Sequence, residues 1–394
     1  MSREETYIVV RAELAEYGPM LLGDSQTPSS AKVTISEVDS EDLPEVRRER
    51  GVIGIVPSIP VSLVEPIRVA TSPGEAWGLD AIGARTTQLT GRGASVAVLD
   101  TGIDRDHEAF NQLRASLVER DFTGEGDGDR HGHGTHVAGT IFGNTVDGRR
   151  IGVAPGVDRC LVGKILDHTG RGSTGGVLKG MQWACESGAD IISMSIGLDF
   201  VAYMRTKEDQ LRRDLKGAPP EAVRSIATSV VLQAYRGTLR VFDTLAASIR
   251  ARAIFDQRAC LIIAAAGNES RRDLLPEWEV TASPPAAADG VVAVGAIDRA
   301  GHVAPFSNSG PAVVAPGVDV LSARAGGGLA VMSGTSMAAP HVAGVAALWV
   351  EKLQGKGSQA DHEILAAKVR MTARVPNGSD PNDVGGGTVY APQE

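Results

Sequence analysis

Residues 334–344 read GTSMAAPHVAG, and no other stretch restricts the fold of this chain as strongly. A glycine and two hydroxyl residues precede a run of small apolar side chains that continues to about Val350. The pattern predicts a tight turn that delivers one hydroxyl to the start of a buried helix. Gly334 permits a sharp turn and the close approach of another segment. Ser336 then sits where free backbone N–H groups and the positive end of the helix dipole favour developing negative charge. A serine capping a core helix has the same local pattern. Two other segments set this one apart, because they carry the groups a nucleophilic serine needs.

The first is residues 95–104, SVAVLDTGID. Its Val/Leu run predicts a buried parallel strand that ends in Asp100 and a glycine turn. Sheets of this kind collect active sites at the C-terminal ends of their strands, which makes Asp100 more than a turn cap. The second is residues 131–140, HGHGTHVAGT, which place His133 at a glycine-rich helix entrance where an imidazole can act as general base. Three histidines so close together also invite zinc. However, His133 and His136 are three apart, and no HExxH or Cys/His cluster completes a site.

These segments, in the order Asp, His, Ser, resemble the subtilisin-like serine proteases, the subtilase family. The resemblance spans about residues 77–390, with one large interruption. It implies an α/β fold, a largely parallel sheet with helices on both faces, and an endopeptidase that works through an acyl-enzyme on a polypeptide substrate. Ser336 would be the nucleophile, His133 the base and later the acid, and Asp100 the group that orients the imidazole. Residues 264–269, AAAGNE, resemble the family's strand and loop bearing an oxyanion asparagine, so Asn268 would donate its amide beside the Ser336 backbone N–H. His136 would be structural. The chemistry implied needs no cofactor.

The resemblance also implies substrate-binding positions. Arg171, Gly172 and Ser173 match the edge segment that pairs with an extended substrate backbone. Ser195, Ile196 and Gly197 match one wall of the S1 pocket, and Ala265, Ala266 and Gly267 the other. Ser283 would lie near the base and Glu269 at the rim, in a pocket tolerant of polar or basic P1 side chains. A helix would begin at Val177 and a closing strand would occupy residues 385–390. Subtilases often bind structural calcium in a loop that matches residues 144–150, NTVDGRR. Two arginines there, and Ala109 where a carboxylate is expected, speak against a site that wants six or more oxygens, so no residue is assigned as a metal ligand.

The formal net charge of −9 argues against nucleic acid as the main partner. No run of 18 apolar residues predicts a membrane span. The opening MSREET is unlike a signal peptide, and Cys160, Cys185 and Cys260 are too few for a disulfide framework, which together predict a cytoplasmic protein.

Residues 1–70 form a separate block ahead of a catalytic domain at 71–394. Strands are expected at residues 6–10 and 31–38, and a capped helix start at 40–43 with Arg47, Arg48 and Arg50 at its far end and Gly51 as its stop. A last strand, at 52–64, is broken by Pro57 and Pro60. This small α+β block is similar in position and architecture to the subtilase inhibitory propeptide, whose tail, here about residues 63–73, lies in the substrate cleft. A permanent N-terminal domain fits the same pattern. The interruption, residues 199–259, holds eleven Lys/Arg against seven Asp/Glu. Leu239, Phe242, Ala246, Ile249 and Ala253 form a helical apolar stripe, while residues 218–220 and Gly237 predict a division into about three helices. It reads as a hairpin packed on the body or as a docking element beside the S1 wall, and inserted loops near clefts favour docking of a protein partner. Functionally the pattern fits a protease held latent by its N-terminal domain. The alternatives are a peptide-maturing transpeptidase or a scaffold that binds a partner through the insertion.

Overall fold

The computed structural model describes residues 5–13, 32–64, 67–68, 75–357, 361–375 and 379–393. At the N-terminus, β1 (Thr6–Glu13), β2 (Lys32–Asp39), α1 (Leu43–Val46) and β3 (Val52–Pro57) make an antiparallel sheet in the order β2-β1-β3 with one helical turn attached. The helix expected after Ser40 shrinks to that turn, and Asp42 makes no side-chain cap. Ala31, placed in the second strand by its sequence, lies outside the described residues. Pro57 closes β3 and Pro60 opens β4 (Pro60–Leu63), which is followed by β5 (Ile67–Arg68).

The larger unit continues with α2 (Trp77–Ala81), β6 (Ser95–Asp100), β7 (Leu117–Asp121), α3 (His133–Phe142), the short pair β8 (Thr145–Val146) and β9 (Arg149–Arg150), and β10 (Arg159–Lys164). Next come β11 (Arg171–Ser173), α4 (Thr174–Glu186), β12 (Ile191–Met194), β13 (Ile196–Leu198), α5 (Phe200–Asp214) and α6 (Pro220–Phe255). The remainder is β14 (Leu261–Ala265), β15 (Val291–Ile297), β16 (Val313–Pro316), β17 (Val320–Ala323), β18 (Leu329–Ser333), α7 (Thr335–Gly355), α8 (His362–Met371) and α9 (Pro381–Val384).

Seven of these strands form one sheet, β16-β15-β14-β12-β6-β10-β7, with every pairing parallel. Side chains alternate across a strand. On β6, Val96 and Val98 pack with Val137 and Ile141 of α3 and Val342 of α7, whereas Ala97 and Leu99 pack with Val177 and Met181 of α4 and Phe242 of α6. The sheet is thus buried on both faces, as its continuous apolar runs require. The same alternation puts Asp100, at the C-terminal end of β6, on the face where α3 begins.

Several boundaries differ from the sequence reading. Helix α4 begins at Thr174 rather than Val177, because the Ser173 hydroxyl accepts from Gly176 N–H at 3.0 Å and caps it earlier. The insertion forms two helices, not three. Pro220 starts α6, as a first-turn proline can, but Gly237 lies inside an unbroken helix. A Cβ on Gly237 would stand 3.0 Å from Cγ1 of Val56, so the glycine serves a close crossing with β3 rather than a break. The closing strand at 385–390 reduces to isolated bridges from Thr388 to Val314 and Arg374. Among the described residues no helix is long and apolar enough to cross a membrane.

Candidate active site

Asp100 Oδ1 lies 2.8 Å from His133 Nδ1, with both side chains fully buried, and it also accepts the Thr101 N–H at 2.8 Å. An ionised carboxylate can only accept, so the imidazole proton sits on Nδ1 and Nε2 is left as the basic atom. His133 is the first residue of α3, behind Gly132 in the left-handed region at φ +90°. That first turn is anchored by Asp129. Its Oδ1 accepts from the N–H groups of His131 and Gly132, and its Oδ2 from the N–H and hydroxyl of Thr135. Thr101 bridges strand to helix, donating to Asp129 Oδ1 at 2.9 Å and accepting Gly134 N–H at 2.9 Å. The sequence reading gave Asp129 no role. The signal for it was present: a carboxylate just ahead of a glycine-rich helix start is an N-terminal capping pattern.

Ser336 stands in the first turn of α7. Gly334 has φ 162° and ψ 162°, an extended conformation open to any residue. Its glycine is required for a different reason from the expected turn, since a Cβ there would lie 2.9 Å from Asn268 Nδ2. Asn268 Oδ1 accepts from both the N–H and the hydroxyl of Thr335, each at 2.9 Å. Those two donors fix which end of the amide is oxygen and turn Nδ2 towards Gly334. The Asn268 loop is shaped by Asn308, which the sequence reading missed. Asn308 Oδ1 accepts from the N–H groups of Glu269 and Ser270, and Nδ2 donates to Ala266 O at 3.2 Å and Glu269 Oε2 at 2.6 Å. Glu269, exposed and expected at the pocket rim, is tied to Asn308 by that bond. Gly267, at φ +117°, packs so closely on Asn308 and Glu269 that no side chain fits there.

The Ser336 hydroxyl donates to the carbonyl oxygen of Val64 at 3.1 Å. His133 Nε2 is buried with no hydrogen-bond partner among the described residues. His136 donates from Nε2 to Val320 O at 3.1 Å, and burial, followed by the nearby His133, lowers its pKa to about 3. It is a neutral core histidine. Among the described residues no group of His, Cys, Asp and Glu could hold a metal ion.

Residues 91–387 match the family model described as the subtilase family. The chain belongs to the subtilase family. It is 35% identical over 315 residues to the intracellular serine protease of Paenibacillus polymyxa, an alignment that spans 77% of this chain and 80% of the relative. Similarity to the thermostable alkaline protease of Halalkalibacterium halodurans is 32% over 318 residues, spanning 79% and 71%. Subtilisin-like protease 7 of Trichophyton equinum is 35% identical over 300 residues, 72% of this chain and 60% of the relative. The chain is a subtilisin-like serine endopeptidase.

In this subtilase the stretch beside the serine is occupied by the chain itself. Strand β4 lies between β11 and β13, antiparallel to both. Arg171, Gly172 and Ser173 pair with Ser62, Val61 and Pro60 on one side, and Ile196 and Gly197 with Leu63 and Ser62 on the other. Leu63 N–H reaches Gly170 O at 2.8 Å, and Val64 N–H reaches Ser195 O at 3.4 Å. Ser195 thus faces the strand with its carbonyl only; its buried hydroxyl donates to Ser336 O at 3.3 Å, a brace on α7 that the sequence did not reveal. A Cβ on Gly197 would lie 3.6 Å from Val64 Cγ2 and 3.9 Å from Ser283 Oγ, so these three residues meet at one point. Ala265 and Ala266 are buried at the head of the Asn268 loop, with Ala266 N–H bonded to Val294 O. Beyond Val64, Ile67 and Arg68 pair with Ser333 and Met332 of β18, the strand that leads into the Ser336 turn. The sequence had placed the cleft-bound tail at residues 63–73. The paired segment starts earlier, at Pro60, and residues 65–66 and 69–74 lie outside the described residues.

Proposed function

We propose that Asp100, His133, Ser336 and Asn268 carry out peptide hydrolysis and that the N-terminal block keeps the enzyme latent. The observation that supports this reading is the 3.1 Å approach of the Ser336 hydroxyl to the carbonyl of Val64, the residue that follows a strand hydrogen-bonded on both sides as a substrate backbone would be. In this reading Ser336 Oγ attacks the Val64 carbonyl carbon while His133 Nε2 takes its proton. The oxyanion is met by Asn268 Nδ2 and the N–H groups opening α7, where the helix dipole adds favourable potential. Collapse breaks the Val64–Glu65 bond, His133 returns the proton to the Glu65 amine, and water releases the acyl group. A tethered strand competes with free peptide at an effective concentration of about millimolar, which is the physical basis of latency.

Gly197 and Ser283 leave room for a small aliphatic side chain such as Val64 at P1, in place of the polar or basic residue suggested by the sequence. The test is a set of peptides differing only at P1. Val or Ala should give the highest kcat/KM, and preference for Lys would contradict the assignment.

No structural calcium is needed in this reading. The guanidinium of Arg150 donates to the carbonyls of Gly152 (3.1 Å) and Val153 (2.9 Å), which supplies a fixed positive charge to the loop at residues 144–153. A cytoplasmic location is supported by the relative named an intracellular serine protease and by three cysteines that are all free and buried. Cell fractionation tests it, and recovery from the medium would overturn it.

A further inference from the structure

Residues 121–130, DFTGEGDGDR, hold four carboxylates, and the site described above draws only on Asp129. Asp121 folds this loop on itself. Its Oδ1 accepts from the N–H and hydroxyl of Thr123, and its Oδ2 from Gly126 N–H at 2.7 Å. Thr123 Oγ1 in turn accepts Glu125 N–H at 3.2 Å. Held in this way, Glu125 reaches the turn that precedes β11. Its Oε2 accepts His168 N–H at 2.9 Å, and its Oε1 accepts from His168 Nδ1 at 2.5 Å. The ammonium of Lys164, with its side chain 4% exposed, lies 3.2 Å from Oε2. Ion pairs between exposed side chains contribute little. Here the carboxylate takes a backbone N–H and a buried cation, which otherwise reaches Gly128 O at 3.4 Å, and hydrogen bonds to charged groups are the stronger kind. The His168 bond, and after it Lys164, hold the Glu125 carboxyl below its usual pKa, so it is ionised at neutral pH.

The turn held by Glu125 is residues 167–170. Asp167 Oδ1 accepts from the N–H and hydroxyl of Thr169 and from Arg171 N–H, while Asp167 N–H bonds to Arg171 O at 2.8 Å. The turn is thereby one stiff unit. Its last residue, Gly170 at φ +73°, offers the carbonyl that accepts Leu63 N–H at 2.8 Å. A Cβ on Gly170 would lie 3.3 Å from Leu63 Cβ, so the two backbones are in close register. Leu63 precedes Val64, and in the hydrolytic reading Gly170 O therefore holds the P2 N–H. Val64 N–H bonds on the opposite side, to Ser195 O.

We propose that Glu125 is a positioning residue for the substrate-binding edge. It clasps the 167–170 turn to the loop ahead of His133, and so sets where the Gly170 carbonyl meets the P2 N–H of a polypeptide. It acts on the residues before the scissile bond and not on His133, whose helix is held by Asp129 and Thr101. The part that concerns substrate rests on the hydrolytic reading above; the clasp on β4 does not.

The test begins with the full chain in a Ser336→Ala background, which cannot cut itself, and reads amide exchange at two adjacent residues. Glu125→Ala should speed exchange at Leu63 by about tenfold and leave Val64 unchanged, since local opening depends on local contacts. Glu125→Ala combined with Lys164→Met, which leaves no buried ammonium unpaired, should do the same. General loss of fold would speed both residues. An equal change at both, or none at Leu63, would overturn the proposal. With Ser336 intact and the chain cut, two substrates separate positioning from chemistry. One is a Val-Ser-Leu-Val anilide, the sequence of residues 61–64, which reaches β11; the other is an aryl ester of acetyl-valine, which stops at P1. Glu125→Ala should lower kcat/KM for the peptide by about tenfold, mainly through KM, and for the ester by about twofold or less. Glu125→Gln, which keeps an acceptor for His168 N–H, should recover part of the loss. Equal losses on both substrates, or no loss on the peptide, would also overturn it. If Leu63 exchange rises while the wild type cuts neither substrate, the hydrolytic reading fails and the clasp stands.

Discussion

Asn308 has no part in the chemistry, yet it holds the loop from which Asn268 would stabilise the oxyanion. Replacing Asn268 by Ala removes the donor itself. It should lower kcat by about 10²–10³, the size known for this donor in the family rather than one derived from this structure. KM should change little, which steady-state kinetics on a cut, active sample would show. Asn308→Ala should lower kcat as well, but with a fall in Tm, because it leaves the N–H groups of Glu269 and Ser270 without their acceptor, the buried one of Ser270 at about 1–3 kcal/mol. A drop in kcat with Tm unchanged would contradict that account. Two buried histidines set an acid limit. Burial lowers His136 to about 3 and His341 to about 4 from the ordinary 6.5. Below pH 6.5 the unfolded chain binds protons that the folded sites refuse, so stability falls as the pH drops towards 4 and then 3. Asp190 works the other way between about 6 and 3.8, because burial raises its pKa to about 6 and the folded state keeps the proton longer. Tm measured from pH 7 to pH 4 should decline, and His341→Asn should flatten the decline; an unchanged slope would refute the assignment. Asp100, His133, Ser336 and Asn268 could be proposed from the sequence because each sits in a contiguous motif. Asn308 could not, because it acts on backbone N–H groups of a segment nearly forty residues away, which no short pattern records, whereas Asp129 caps its own segment and was simply passed over.

Among the elements, the hairpin β8–β9 bears on cation dependence. Asp147 and Gly148, at φ +48° and +74°, form its two-residue turn, the conformation that an Asp-Gly pair favours. Arg150 then spends its donors on the carbonyls that follow. A chelator should leave Tm unchanged, while Arg150→Met should lower it by breaking two charged hydrogen bonds, and loss of stability on chelation alone would contradict this. Strand β6 could be read directly from its apolar run, whereas edge strand β7, LVERD with alternating burial, could not. Gly237 was misread as a break because its reason for being glycine is Val56, 181 positions earlier in the chain. Helix propensity alone cannot separate a weak point from a crossing point.

At the scale of the molecule, one chain carries the catalytic motifs of its family and a strand of its own, β4, paired between β11 and β13. The resemblance suggested an inhibitory block and a cleft-bound tail. The paired segment starts at Pro60, three residues before the expected start of the tail, because pairing with β11 and β13 begins there. The central claim is that Val64 is presented to Ser336 as the acyl group of a peptide to be cut. The most direct measurement is intact mass of the purified full chain and of Ser336→Ala after incubation at neutral pH. The account predicts that the wild type alone divides, between Val64 and Glu65, into fragments of 64 and 330 residues. A wild-type chain that stays whole while a serine-reactive probe labels Ser336, or one cut at any other bond, would contradict it.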